Sequence, residues 1–360
     1  MLGRVWKAIR YSSIGSFFAG IVFVIQGCSL EREGSLAFIL LLLLQFCSGP
    51  VDTSGDGGNA TGVFAYVINN NHNDVSVIDV ASNTNIGPDI AVGNGPVDIA
   101  ITPDGTTAYV VNNNHNDVSV IDVATNTNIG PDIAVGLGPS AIAITPDGTT
   151  AYVTNTDEDD VSVIYLPTNT RVGDIAVGNG PVDIAITPDG TTAYVANFLE
   201  NDVSIIDIAT NTNIGPDIAV GDGPTAIAIT PDGTTAYVTN AVGHVSVIDV
   251  ATHTNIGPNI AVEPGPIAIA ITPDGTTAYV ANFNETDVSV IDIATNTLIA
   301  PDIAVGDGPT AIAITPDGTT AYVANFFDMD VSVIDVATHT NLGTNIPVGS
   351  GPVAIAFFTR

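Results

Sequence analysis

One unit of 42 or 43 residues, copied along most of the chain, constrains the fold more than any other feature. Tyr66, Tyr109, Tyr152, Tyr194, Tyr237, Tyr279 and Tyr322 mark the copies at spacings of 43, 43, 42, 43, 42 and 43 residues. The fullest copy begins at Gly95 and runs to Val135. A period this regular requires a repeat architecture, in which each copy buries its apolar surface against the next.

Within the unit the punctuation predicts four short strands. Val97-Asp-Ile-Ala-Ile-Thr102 alternates with a period of two residues and stops at Pro103-Asp104-Gly105. There proline presets a turn and glycine accepts a positive φ. Thr107-Ala-Tyr-Val-Val111 follows, rich in β-branched and aromatic residues. A polar run from Asn112 to Asp117 then leads into Val118-Ser-Val-Ile-Asp-Val123. The fourth strand is predicted from about Asn128 to Val135, bent at Gly130-Pro131. No segment carries a helical period.

Four antiparallel strands in a unit of this length predict an all-β propeller blade. The strands are apolar on both faces, which suits sheets packed between neighbouring sheets. The chain ends indicate how the ring shuts. The first copy starts near Ala65-Tyr66-Val67 without its innermost strand, and Gly351-Pro-Val-Ala-Ile-Ala-Phe-Phe358 is that strand with nothing after it. Joining the two gives seven four-stranded blades and pairs two edges that would otherwise be open.

Tyr152-Val-Thr-Asn155 and Tyr237-Val-Thr-Asn240, each followed by Val-Ser-Val-Ile, resemble the YVTN-type β-propeller repeat of bacterial and archaeal secreted and cell-surface proteins. The resemblance covers residues 62 to 360 and implies the fold together with an exterior location. That family also resembles lactonase-type and other enzyme propellers. Fold alone assigns no activity, because propellers host unrelated functions.

Residues 1–47 read as a signal or anchor region with two hydrophobic runs. Arg4, Lys7 and Arg10 precede the apolar run Ile14 to Ile25, the pattern of a secretory signal. Ile25-Gln-Gly-Cys28 resembles a lipoprotein-processing box, which makes Cys28 a lipidation candidate, although Gln26 departs from the usual small residue. The second run, Leu36 to Leu44, is shorter than the roughly 20 apolar residues of a span. Cleavage, lipidation and N-terminal membrane anchoring all stay open. Residues 48–61 form a Gly/Ser/Asp-rich linker, and residues 62–360 form the propeller.

Charge excludes whole classes of partner. The chain carries 6 Lys plus Arg against 38 Asp plus Glu, and beyond the leader only Arg171 and Arg360 remain as cations. Nucleic acid is excluded, since binding its backbone needs clustered cations. The same absence argues against phosphorylated substrates. Both cysteines, Cys28 and Cys47, lie in the leader, so no disulfide holds the propeller. Such a surface suits the exterior, and the ring is expected to be monomeric.

The loop between second and third strands and the loop entering the next blade should share one face. Over a constant frame, the first of these varies most from copy to copy. It carries Phe198, Leu199, Phe283, Phe326, Phe327 and Met329, candidate anchors for a protein or glycan partner. It also carries His72, His115 and His244 and the acids Asp157, Glu158 and Asp159. These histidines belong to three different copies, and no loop has a recognised calcium spacing. No cofactor is therefore expected, with calcium the one candidate ion and no motif behind it.

The aspartates of Val-Ser-Val-Ile-Asp recur in almost every copy and predict a structural hydrogen bond. The asparagine after each tyrosine strand reads as a turn former. Before Ile-Ala-Ile the chain has Asp98 and Asp183 but alanine in the other copies; the two could reach the central channel, with a surface role the favoured expectation. No nucleophile with a base can be assembled at one place. The sequence alone therefore reads as an exported binding or adhesion module, not an enzyme. The alternatives are a lactonase-like hydrolase on the same face and a surface-layer spacer.

Overall fold

The computed structural model describes residues 62–360, so the leader, Cys28 and the linker up to residue 61 lie outside the described residues. Seven antiparallel sheets are arranged as the repeat predicts, each following one copy of the unit. Blade two is typical: Pro96–Ile101 is innermost, Thr107–Asn112 second and Asp117–Asp122 third. Asp104 ends the first hairpin as an Asx-type turn, its Oδ1 accepting from the Thr106 amide and the Thr102 hydroxyl at 3.0 and 2.6 Å.

The outermost strand differs from expectation. In blade two it is two fragments, Thr127–Asn128 and Ile133–Ala134, each pairing with an end of the third strand. Pro131 has no N–H to give the ladder, so pairing lapses around it. Blade three has no proline here, and Thr170–Ala176 is continuous. Blade seven, with Gly343-Thr344 at the bend, is likewise continuous over Thr340–Pro347.

Closure follows the predicted route. Pro352–Thr359 pairs antiparallel with Val63–Asn69 and completes blade one. Arg360 and Gly62 exchange both backbone hydrogen bonds, and Phe358 stacks on Phe64 with ring centroids 5.6 Å apart. The Arg360 guanidinium lies over both rings and reaches Asn126 of blade two.

Apolar clusters fill each gap between neighbouring blades. Around the ring runs a belt of polar contacts. Each buried tyrosine hydroxyl meets a turn residue of the next blade: Asn126, Asn169, Asn211, His253, Asn296, His339 and finally Asn83, where blade seven returns to blade one. Those turn residues have φ near +50°, a left-handed conformation that asparagine tolerates better than most residues.

The asparagine after each tyrosine strand is a strut, not the expected turn former. Asn69, Asn112, Asn155, Asn197, Asn240, Asn282 and Asn325 are fully buried, and each donates to the hydroxyl of a serine in the third strand. The recurrent aspartates do make the repeated bond anticipated for them. Asp122 Oδ1, for example, accepts from the Thr125 amide and hydroxyl at 2.8 and 2.7 Å.

Candidate functional site

The variable loops and the entering loops do share a face, since the Asn113 and Asn114 amides donate to Gly95 and Asn94. The innermost strands start there. The side chains of Asn70, Asn113 and Thr156 bond the carbonyl of the next blade's first innermost residue, Pro96, Pro139 and Pro181. In blades four, six and seven that position holds Phe198, Phe283 and Phe326, which seat against Gly223, Gly308 and Gly351 instead. Phe327 packs on Phe283 and Phe326 at 5.8 and 5.2 Å between centroids. Phe283 and Phe326 are half-buried, whereas Leu199, Phe327 and Met329 stay exposed at 68%, 55% and 48%. The aromatics therefore cover loop glycines and still leave an apolar patch over blades six and seven.

The polar candidates are mostly occupied by the loops themselves. His72 and His115 accept at Nδ1 from the Ser350 and Asn94 amides, both at 3.1 Å. His244 opens the third strand of blade five, far from the other two in blade order. Asp159 accepts from the Gly180 amide at 2.8 Å, as Asn73 and Asn116 do for Gly95 and Gly138. Asp157 and Glu158 lie over Gly138 and Gly136, where a Cβ would come within 2.7 and 2.6 Å of their carboxylates. Among the described residues no group of three or more His, Cys, Asp or Glu is placed to hold a metal ion.

Beneath this face the seven innermost strands enclose an axial cavity of about 360 Å³. Its wall is as polar as it is apolar: Val97, Val182, Ile267 and Val353 alternate with Ser140, Thr225, Thr310 and two carboxylates, Asp98 and Asp183. The expectation of a surface role for these aspartates is corrected. Each is the third residue of an innermost strand, and a bulge between the first and third residues turns it toward the axis.

Each carboxylate joins two blades. Asp98 accepts from its neighbour Ile99 and from Ile142 of blade three, both at 2.8 Å. Asp183 accepts from Ile184 at 2.8 Å and from Ile227 of blade five at 2.7 Å. Burial opposes ionisation more than these amides favour it, and it raises Asp98 to about 6. Asp183, buried likewise and repelled by Asp98, rises to about 7. Both are only partly buried and line the cavity, so they face its open space, not sealed protein. A carboxylate with such a value, aimed into a small cavity, is suited to take a proton near neutral pH.

A family model, Lactonase, 7-bladed beta-propeller, matches residues 63–214. That span includes both Asp98 and Asp183. A search of curated proteins finds no match. Among solved structures, the chain resembles a hydrazine synthase from Kuenenia stuttgartiensis at 24% identity and TM-score 0.69, covering 80% of this chain and 99% of that one. It resembles a putative 6-phosphogluconolactonase from Bacteroides uniformis at 18% identity and TM-score 0.71, covering 82% and 99%. It also resembles the periplasmic gluconolactonase of Pseudomonas aeruginosa at 17% identity and TM-score 0.70, again covering 82% and 99%. These likenesses carry the fold.

The expectation of a non-enzyme is corrected by the lactonase match, which points to a hydrolase. The acids facing the cavity sit inside a framework strand, where they read as minor differences between copies. The departure from alanine at Asp98 and Asp183 was the available signal.

Proposed function

We propose that this propeller is a lactonase-like hydrolase acting on a small, uncharged lactone in its axial cavity. The observation that carries this reading is the pair of cavity-facing carboxylates, whose values of about 6 and about 7 leave an ionised base near neutrality. The lactonase match over the same stretch supports it.

In the proposed reaction an ionised carboxylate of the pair takes a proton from a water molecule. The water oxygen bonds to the lactone carbonyl carbon, and the carbonyl π electrons move to its oxygen. Collapse of this tetrahedral species breaks the bond to the ring oxygen, which leaves as an alkoxide and recovers the proton from the carboxyl group. The product is an open hydroxy acid, which ionises and is repelled by the acidic protein. General-base help of this kind contributes typically 10²- to 10⁴-fold.

Charge favours an unphosphorylated substrate. Among the described residues the cations are Arg171, paired with Asp174 at 2.5 Å, and Arg360, engaged in the ring closure. Neither lines the cavity, so nothing there balances a phosphate. The aromatic patch over blades six and seven serves as the apron that captures substrate or a surface partner. The leader's pattern supports an exported enzyme.

The test is turnover on a panel of phosphorylated and unphosphorylated lactones. Hydrolysis of uncharged lactones, lost in both Asp98→Ala and Asp183→Ala, is expected. Equal turnover by the double variant would remove the cavity from the reaction.

A further inference from the structure

The two aspartates leave part of the inner wall uncapped, and the ladder geometry says which part. In an antiparallel pair, residues alternate between those bonded to their partner and those whose N–H and C=O both point away. Thr272 of blade six bonds to Thr277, so Ile269, three residues earlier and opposite Val280, is a pair of the second kind. The same parity holds for Ile312 of blade seven, counted from Thr315, and for Ile355 of blade one, counted from Arg360. An innermost strand has no neighbour on its other side, so these three amides face the axis.

Their counterparts in the other four blades are Ile99, Ile142, Ile184 and Ile227, and all four are held by Asp98 or Asp183. Blades six, seven and one carry Ala268, Ala311 and Ala354 where an aspartate would stand, so no side chain reaches across. The cavity reflects this asymmetry: Ile269, Ile312 and Ile355 line it, and none of the four capped isoleucines does.

We infer that the backbone N–H groups of Ile269, Ile312 and Ile355 form an oxyanion arc. It holds the lactone carbonyl oxygen as negative charge develops there, and afterwards one oxygen of the product carboxylate. The inference rests on the hydrolase reading for the first role only. Three fixed donors across a small cavity from a base are the arrangement that acyl transfer requires, with each donor worth on the order of 10²–10³ in rate.

The repeat supplies its own probe. Asp98 caps its own Ile99 and the isoleucine 44 positions on, Ile142. Ala311→Asp should therefore cap Ile312 and Ile355 in the same geometry, with an intact fold. Ala268→Asp should do so for Ile269 and Ile312, and it stands in if the first variant fails to fold.

Amide-resolved hydrogen exchange on the full chain is expected to give rapid exchange at Ile269, Ile312 and Ile355 and slow exchange at the four capped amides. Ala311→Asp should slow Ile312 and Ile355. Equal protection of all seven in the native chain overturns the arc. At pH 5.5, where the aspartate pair is largely protonated, gluconate should shift these three amide resonances selectively, and absence of any shift also overturns it.

In kinetics, Ala311→Asp and the uncharged Ala311→Asn should each lower turnover of an uncharged lactone, the first by at least 100-fold. Loss in the Asp variant alone would be an effect of charge and count against the arc. Gluconate shifts without any lactone turnover would sustain the arc and sink the hydrolase. Wild-type turnover in both Ala311 variants would do the reverse.

Discussion

Two rings of side chains run round this propeller, and they behave differently. In the tyrosine belt every blade does the same thing: a buried hydroxyl meets a left-handed turn residue one blade on, whether that residue is asparagine or histidine. In the axial wall two blades depart from the other five, placing Asp98 and Asp183 where alanine is the rule. The belt is structure repeated, and the wall is structure interrupted.

The sharpest break of that contrast is kinetic. Asp98→Ala and Asp183→Ala give those blades the residue the other five already carry, so the fold should survive while lactone turnover falls about 100-fold or more. A matched loss of folding would show that the acids belong to the frame after all.

The pH dependence separates the rings next. For both aspartates the folded value lies above the 3.8 of an ordinary aspartate, so the folded state binds protons more tightly. The stabilisation this gives is complete below about 3.8 and is lost as pH rises through about 6 and about 7. The loss by pH 8 should be on the order of 3 kcal/mol for Asp98 and 4 kcal/mol for Asp183. Denaturant midpoints should decline over that window in the native chain and stay flatter in the double alanine variant. Turnover should move oppositely, rising as the base ionises.

A smaller effect is expected in the belt. Tyr152→Phe removes one bond to Asn211 and should cost about 1 kcal/mol in urea unfolding, with turnover unchanged. Smallest of all is Leu199→Ser on the exposed loop face, which should shift stability by less than about 0.5 kcal/mol. A change in KM there, with kcat constant, would extend substrate capture from the apron over blades six and seven to the loop of blade four.

What the chain discloses by itself follows the same division. The period, the strand order and the composite blade are legible because every copy votes on them, and turn residues such as Pro103 and Gly105 fix the register locally. The split outer strands are less legible, since Pro131 marks a bend without saying how far pairing lapses. The cavity is least legible. Asp98 lies in a strand whose alternation places it on neither face clearly, and only the bulge after Pro96, a feature of three-dimensional pairing, aims it inward. The struts at Asn112 and its equivalents are hidden likewise, because their serine partners lie six or seven residues away across a hairpin.

The handshake between Gly62 and Arg360 makes the order of the blades partly arbitrary. Because these two residues lie hand in hand inside one sheet, a short peptide tying them together would convert the ring into a circle with no beginning. New termini cut at the Gly130-Pro131 bend, where the outer ladder has already lapsed, should then yield a permuted chain with the same cavity and the same two acids.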